Sequence, residues 1–172
     1  MNISKEQIKA LNPCDDGYKW YLDNGTSDLL ETLLKANLVN DEWCSWLYTK
    51  LMTHTQQKQF AIYAAERVLN IFEDKYPNDK RPGKAIEAAK KALELNTEAT
   101  RDATYFQACN AHSPAGHAAY AAYAAVEVLN RYYLATCWTR ETVKAAKLAA
   151  GAHSIVVQED LIKRAVDILE TV

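Results

Sequence analysis

The sequence predicts an all-α protein: a compact multi-helix bundle with an internally duplicated helical hairpin. Three observations lead there. Apolar residues recur at helical spacing in segment after segment, and no stretch alternates with period two over a useful length. Only 5 Gly and 4 Pro punctuate the 172 residues, too few for a turn-rich all-β fold. Two matched segments also recur in the same order. Tyr63-Ala-Ala-Glu-Arg-Val-Leu-Asn70 corresponds to Tyr123-Ala-Ala-Val-Glu-Val-Leu-Asn130, and Ile86-Glu-Ala-Ala-Lys-Lys-Ala-Leu93 to Val143-Lys-Ala-Ala-Lys-Leu-Ala-Ala150. The expectation is one domain over 1–172, with repeat units at about 55–95 and 115–152, whose Ala-rich faces let helix axes approach closely.

The elements follow in order, about nine or ten in all. Ser4-Lys-Glu-Gln7 has capping-box spacing and opens a short helix toward Leu11, which Asn12-Pro13 stops. Asp15 or Asp16 caps a second helix through Trp20 and Leu22, and Asn24-Gly25 ends it in the left-handed conformation those residues tolerate. Thr26 or Ser27 starts a third along Leu29, Leu30, Leu33 and Leu34. Asn40-Asp41-Glu42 starts a fourth through Trp43, Trp46, Leu47 and Leu51, with its carboxylates at the positive end of the helix dipole. A longer helix runs from about Thr55 to Lys75. After the loop Lys75-Tyr-Pro-Asn-Asp-Lys-Arg-Pro-Gly83, Pro82 sits in the first turn of the next. Asn96-Thr97-Glu98 begins another, and Ser113-Pro114 begins an Ala-rich helix from Ala115 to about Leu134. Thr139 caps the next, which Gly151 ends, and a last amphipathic helix covers Ser154 to Leu169.

Composition excludes several functions. Lys plus Arg total 20 and Asp plus Glu 22, a formal charge of −2, which is unlike the basic footprint of a nucleic-acid binder. No apolar run approaches the roughly 18 residues of a membrane helix, and the start lacks a signal-peptide core. The four cysteines, Cys14, Cys44, Cys109 and Cys137, form no CxxC pair. They read as reduced, mostly buried thiols in a cytoplasmic protein. The histidines His54, His112, His117 and His153 include no i, i+4 pair, so no metal and no cofactor is expected. No phosphate loop, nucleophile elbow or paired-acid motif occurs, and the protein is expected not to be an enzyme.

Three features remain as candidate contact surfaces. Residues 14–42 carry seven acids against two lysines, and Trp43 and Trp46 follow directly. Those two share a helix face, which core packing explains best and an interface anchor explains second. Residues 80–91 carry five bases against Glu87, with Arg81 and Lys84 at a helix start where an anion is favoured. Asp79 is near enough in sequence to neutralise Arg81 instead. On the Ala-rich helix, His117, Tyr120, Ala124, Glu127 and Arg131 share a face, with Tyr123 beside it. Such a stripe either faces solvent with a Glu127–Arg131 pair or lines a polar cavity that brackets a planar anion. In the repeat alignment Arg67 stands opposite Glu127, so a duplicated pair would supply opposite charges across a shared seam.

The residues Tyr63-Ala-Ala-Glu-Arg-Val-Leu, Ile71-Phe-Glu and Tyr76-Pro-Asn-Asp-Lys-Arg-Pro-Gly-Lys-Ala-Ile-Glu-Ala-Ala89 resemble the core of the immunity-protein family found in bacterial polymorphic-toxin loci and in phages. Pro13-Cys-Asp-Asp-Gly-Tyr-Lys-Trp20, Trp43-Cys-Ser-Trp-Leu47 and His117-Ala-Ala-Tyr-Ala-Ala-Tyr123 extend the resemblance over roughly residues 12–150. The resemblance implies a small cytosolic helical protein, not an enzyme, that binds and neutralises a protein toxin or effector. The alternative it implies is a phage counter-defence protein that sequesters a nucleotide-derived immune signal. The expected partner is thus a toxin or defence effector, or an anionic nucleotide-like small molecule, and Ala-rich faces would suit a homodimer.

Overall fold

The computed structural model describes residues 1–95 and 135–171. Nine α-helices and one 3-10 turn occur among them: α1 Lys5–Ala10, α2 Asp15–Asn24, α3 Leu29–Val39, α4 Asp41–Leu51, α5 His54–Glu66, α6 Leu69–Lys75, α7 Arg81–Leu95, α8 Ala135–Ala150, the turn Gly151–His153, and α9 Ser154–Glu170. The described residues are all-α and helix-rich. No strand is present among the described residues; the one β-type contact is an isolated bridge between Asn2 and Asp28. No described helix is long and apolar enough to cross a membrane.

The chain divides into two compact units, Met1–Met52 with Ile162–Val172, and Thr53–Leu161. In the first, α3 packs on α4, and α2 on α1 and α3. Its buried residues include Ile8, Tyr21, Leu29, Leu33 and Tyr48, together with Ile162, Ala165 and Leu169 from the second half of α9. The amine of Met1 is paired with Glu170. In the second, α5 packs most extensively on α8, and also on α7. Its core is built largely of alanine: Ala61, Ala64 and Ala65 on α5, Ala85, Ala89 and Ala92 on α7, and Ala145, Ala146 and Ala150 on α8 are all buried. Small side chains at these positions allow the close axial approach that the composition predicts.

Local chemistry explains most boundaries. Ser4 and Thr53 both complete capping boxes, with Gln7 and Gln56. Asn40 accepts from the backbone N–H groups of Glu42 and Trp43, and Pro82 lies in the first turn of α7. Gly151 ends α8 at φ +52, the left-handed conformation glycine supplies without strain.

Several expectations are corrected. The cap of α2 is Cys14, which makes no side-chain cap bond; Asp15 and Asp16 lie in the first turn instead. The cap of α3 is Asp28, which accepts from Glu31 N–H; Thr26 N–H donates to the buried Thr32 hydroxyl at 2.9 Å. Gly25 is extended, φ −71, not left-handed. Glycine is needed there because a Cβ would lie 2.1 Å from the Tyr21 ring. The single helix expected over Thr55–Lys75 is broken at Arg67-Val68, where neither Gly nor Pro stands. Val68 takes φ −120 and is fully buried. Thr139 does not cap a helix: α8 begins upstream, and both Thr139 and Thr142 are completely buried. Of the thiols, Cys44 is buried but Cys14 and Cys137 are exposed. Of the repeat, 86–93 and 143–150 are both helical, and 63–70 spans the α5–α6 break. Residues 123–130 lie outside the described residues.

Candidate functional site

The basic junction belongs to the second unit and is built by a turn. Pro77 and Asn78 stand at the middle of a four-residue reversal closed by Asp79 N–H donating to Tyr76 C=O at 3.0 Å. Proline presets the backbone for the first of those positions and asparagine suits the second. The reversal delivers Asp79 to the start of α7. Its carboxylate accepts from the Arg81 backbone N–H at 3.2 Å, from Arg81 Nε at 2.8 Å and from Nη2 at 2.6 Å. These bonds hold the Asp79 carboxyl down at about 2 and raise Arg81 further. Arg81 is thus committed to its neighbour, as the sequence allows.

The other cations are distributed by packing. Lys80 meets Glu73 of α6 at 3.3 Å. Lys90 reaches Glu66 of α5 at 2.5 Å and Glu87 at 3.0 Å; the Glu66 bond, then the Glu87 bond, raises its pKa. Lys75 lies 5.3 Å from the centroid of the Tyr76 ring, within cation–π range. Tyr76 in turn stacks at 5.0 Å, tilted 42°, on the buried Phe72. Lys84 is exposed and has no carboxylate partner among the described residues. Around it lies an open depression of about 730 Å³ lined by Lys75, Tyr76, Pro77, Asn78, Asp79, Lys80, Arg81 and Lys84. Four cations face one carboxylate there, and the ring and the proline add apolar surface. Lys75 and Tyr76 escaped the sequence reading. The signal was the i, i+4 spacing of Phe72 and Tyr76, which sets the ring at the helix end.

The acidic segment belongs to the first unit and has a structural explanation. Six of its seven acids stand at helix starts: Asp15 and Asp16 in α2, Asp28 as cap and Glu31 in α3, Asp41 and Glu42 in α4. There they complement exposed N–H groups and the helix dipole. Glu31 also pairs with Lys35 at 2.8 Å. Trp43 is half-buried and meets Trp20, centroids 6.2 Å apart and tilted 45°. Trp46 is likewise half-buried.

The remaining candidates, His117, Tyr120, Tyr123, Glu127 and Arg131, lie outside the described residues. Arg67, aligned with Glu127 in the repeat, does find a carboxylate, that of Asp160 on α9. Arg67 Nε and the Tyr63 hydroxyl both donate to Asp160 Oδ2, each at 2.6 Å. No group of three or more His, Cys, Asp or Glu that could hold a metal occurs among the described residues.

Residues 47–126 match the family described as Imm-5 like putative immunity protein. A domain of that family is therefore present over part of the chain. The match opens within α4, includes α5 to α7 and the whole 75–84 junction, and takes in His117, Tyr120 and Tyr123. Trp43, Trp46, Glu127 and Arg131 fall outside it. No curated protein and no solved structure matches the chain.

Proposed function

We propose that this chain is a non-enzymatic immunity-type inhibitor that binds and neutralises a toxin or effector protein through the junction before α7. The observation that supports it most is the coincidence of two things. The depression with four cations against Asp79 falls inside the segment that matches an immunity family. An open, charged recess of this kind steers an oppositely charged macromolecule and fixes its register.

Native mass spectrometry of the protein purified gently from its producing cells tests the reading. The expected result is an equimolar complex with a second polypeptide. That polypeptide, expressed alone, stops growth, and co-expression of this chain restores it. A captured polypeptide that is harmless alone overturns the inhibitor reading. A retained small anion in place of a protein replaces it with sequestration of a nucleotide-derived signal, and moves attention to His117, Tyr120, Tyr123 and Arg131.

A further inference from the structure

The ion pairs at the junction are unequal, and that inequality carries information. Lys80 is held by Glu73, Arg81 by Asp79, and Lys90 by Glu66 and Glu87. Lys84 alone among the cations of the α7 first turn keeps no carboxylate partner among the described residues. On its other side lie Glu73 and Glu87, each already engaged by a different lysine. Next to it, Tyr76 and Pro77 offer apolar surface backed by Phe72.

We propose that this depression takes an acidic segment of a partner protein, one that carries an aromatic side chain beside its carboxylate. The carboxylate meets Lys84, and the aromatic ring rests on Tyr76 and Pro77. Arg81 makes no contact in this scheme. It is a positioning residue that neutralises Asp79, whose free carboxylate would otherwise repel the incoming one. The proposal rests on the inhibitor reading for its partner class and sharpens it to one surface chemistry.

The charge arithmetic favours an acidic partner over a basic one. Lys75, Lys80, Arg81 and Lys84 stand against Asp79 in the lining. Bringing a carboxylate to an unpaired exposed ammonium breaks no existing pair, whereas recruiting Arg81 would cost two hydrogen bonds to Asp79. Aromatic residues supply large contact area at low entropic cost, which suits a shallow recess.

The probe is a labelled synthetic peptide of alternating Glu and Tyr, titrated into the full chain at low salt, with its Lys/Tyr counterpart as control. Saturable binding of the acidic peptide is expected, weakening as salt rises. Lys84→Glu should lower affinity by about tenfold or more at an unchanged melting temperature, while Lys91→Glu on the same helix leaves it unaltered. Arg81→Ala should weaken binding, and Asp79→Asn added to it should restore binding; a direct Arg81 contact would not be restored this way. Equal binding of the basic peptide, no binding of the acidic one at low salt, or wild-type affinity in Lys84→Glu overturns the proposal. None of these decides whether the chain neutralises a toxin, which growth rescue by the wild-type chain tests separately.

Discussion

Arg81 and Asp79 are joined through both guanidinium and carboxylate edges, Nε to Oδ1 at 2.8 Å and Nη2 to Oδ2 at 2.6 Å, while the same carboxylate takes the Arg81 backbone N–H. One side chain therefore acts as the start signal of α7 and as the counter-ion of its first residue. The loop before α7 is fixed by this pair and by the reversal at Pro77-Asn78.

The pair has a pH signature. The folded Asp79 carboxyl sits at about 2, below its ordinary 3.8, so its contribution is fully present above roughly pH 4 and is lost as pH falls toward 2. Asp79→Asn should accordingly melt below the wild type at pH 6, and the two melting curves should converge near pH 2. A constant gap across the whole range would contradict this.

Asp160 holds α9 to α5 through two donors on one oxygen. Tyr63→Phe should lose about 0.5–1.5 kcal/mol, read as a lower midpoint in urea. The double variant with Asp160→Asn should lose less than the sum of the two single changes, because the groups share one interaction. Full additivity would show that the hydroxyl and the carboxylate act independently.

Two glycines should fail differently. Gly25→Ala places a Cβ 2.1 Å from the Tyr21 ring and 2.6 Å from the Tyr21 carbonyl, so the buried tyrosine must move, at a cost of about 1–3 kcal/mol. Gly151→Ala meets nothing within 4 Å and pays only for φ +52, about 1 kcal/mol. Thermal melts of the two variants should rank Gly25→Ala as the less stable.

Thiol reactivity should divide along burial. Burial raises the Cys44 thiol pKa well above its usual range, and the side chain is almost wholly covered. Peptide-level mapping after brief alkylation of the native protein should find label on Cys14 and Cys137, both exposed, and on Cys44 only after unfolding. Early labelling of Cys44 would show that α4 opens readily.

The sequence makes helix starts legible because caps are local. Ser4 and Asn40 cap the helices they precede, and Pro82 lies in the first turn of its own, where its ring is tolerated. The break at Arg67-Val68 could not be read. Nothing nearby forbids a helix there, and the partner of Arg67, Asp160, lies 93 residues away. Gly25 illustrates a right boundary with a different cause: the constraint is the Tyr21 ring, not the backbone angle. At the junction, the Asp79–Arg81 pair was visible from a spacing of two residues. The isolation of Lys84 is not, because it depends on Lys80 reaching Glu73 of α6 and on Lys90 engaging Glu87. The acidic run, in contrast, needed only the helix starts to explain it.

The central claim is that the junction before α7 makes the inhibitory contact. It is tested most directly by growth rescue. Cells expressing the polypeptide recovered in the native complex would carry either the wild-type chain or Lys84→Glu, matched for level and melting temperature. The account predicts that the wild type restores growth and that Lys84→Glu does not. Full rescue by Lys84→Glu would contradict it and place the contact elsewhere on the molecule.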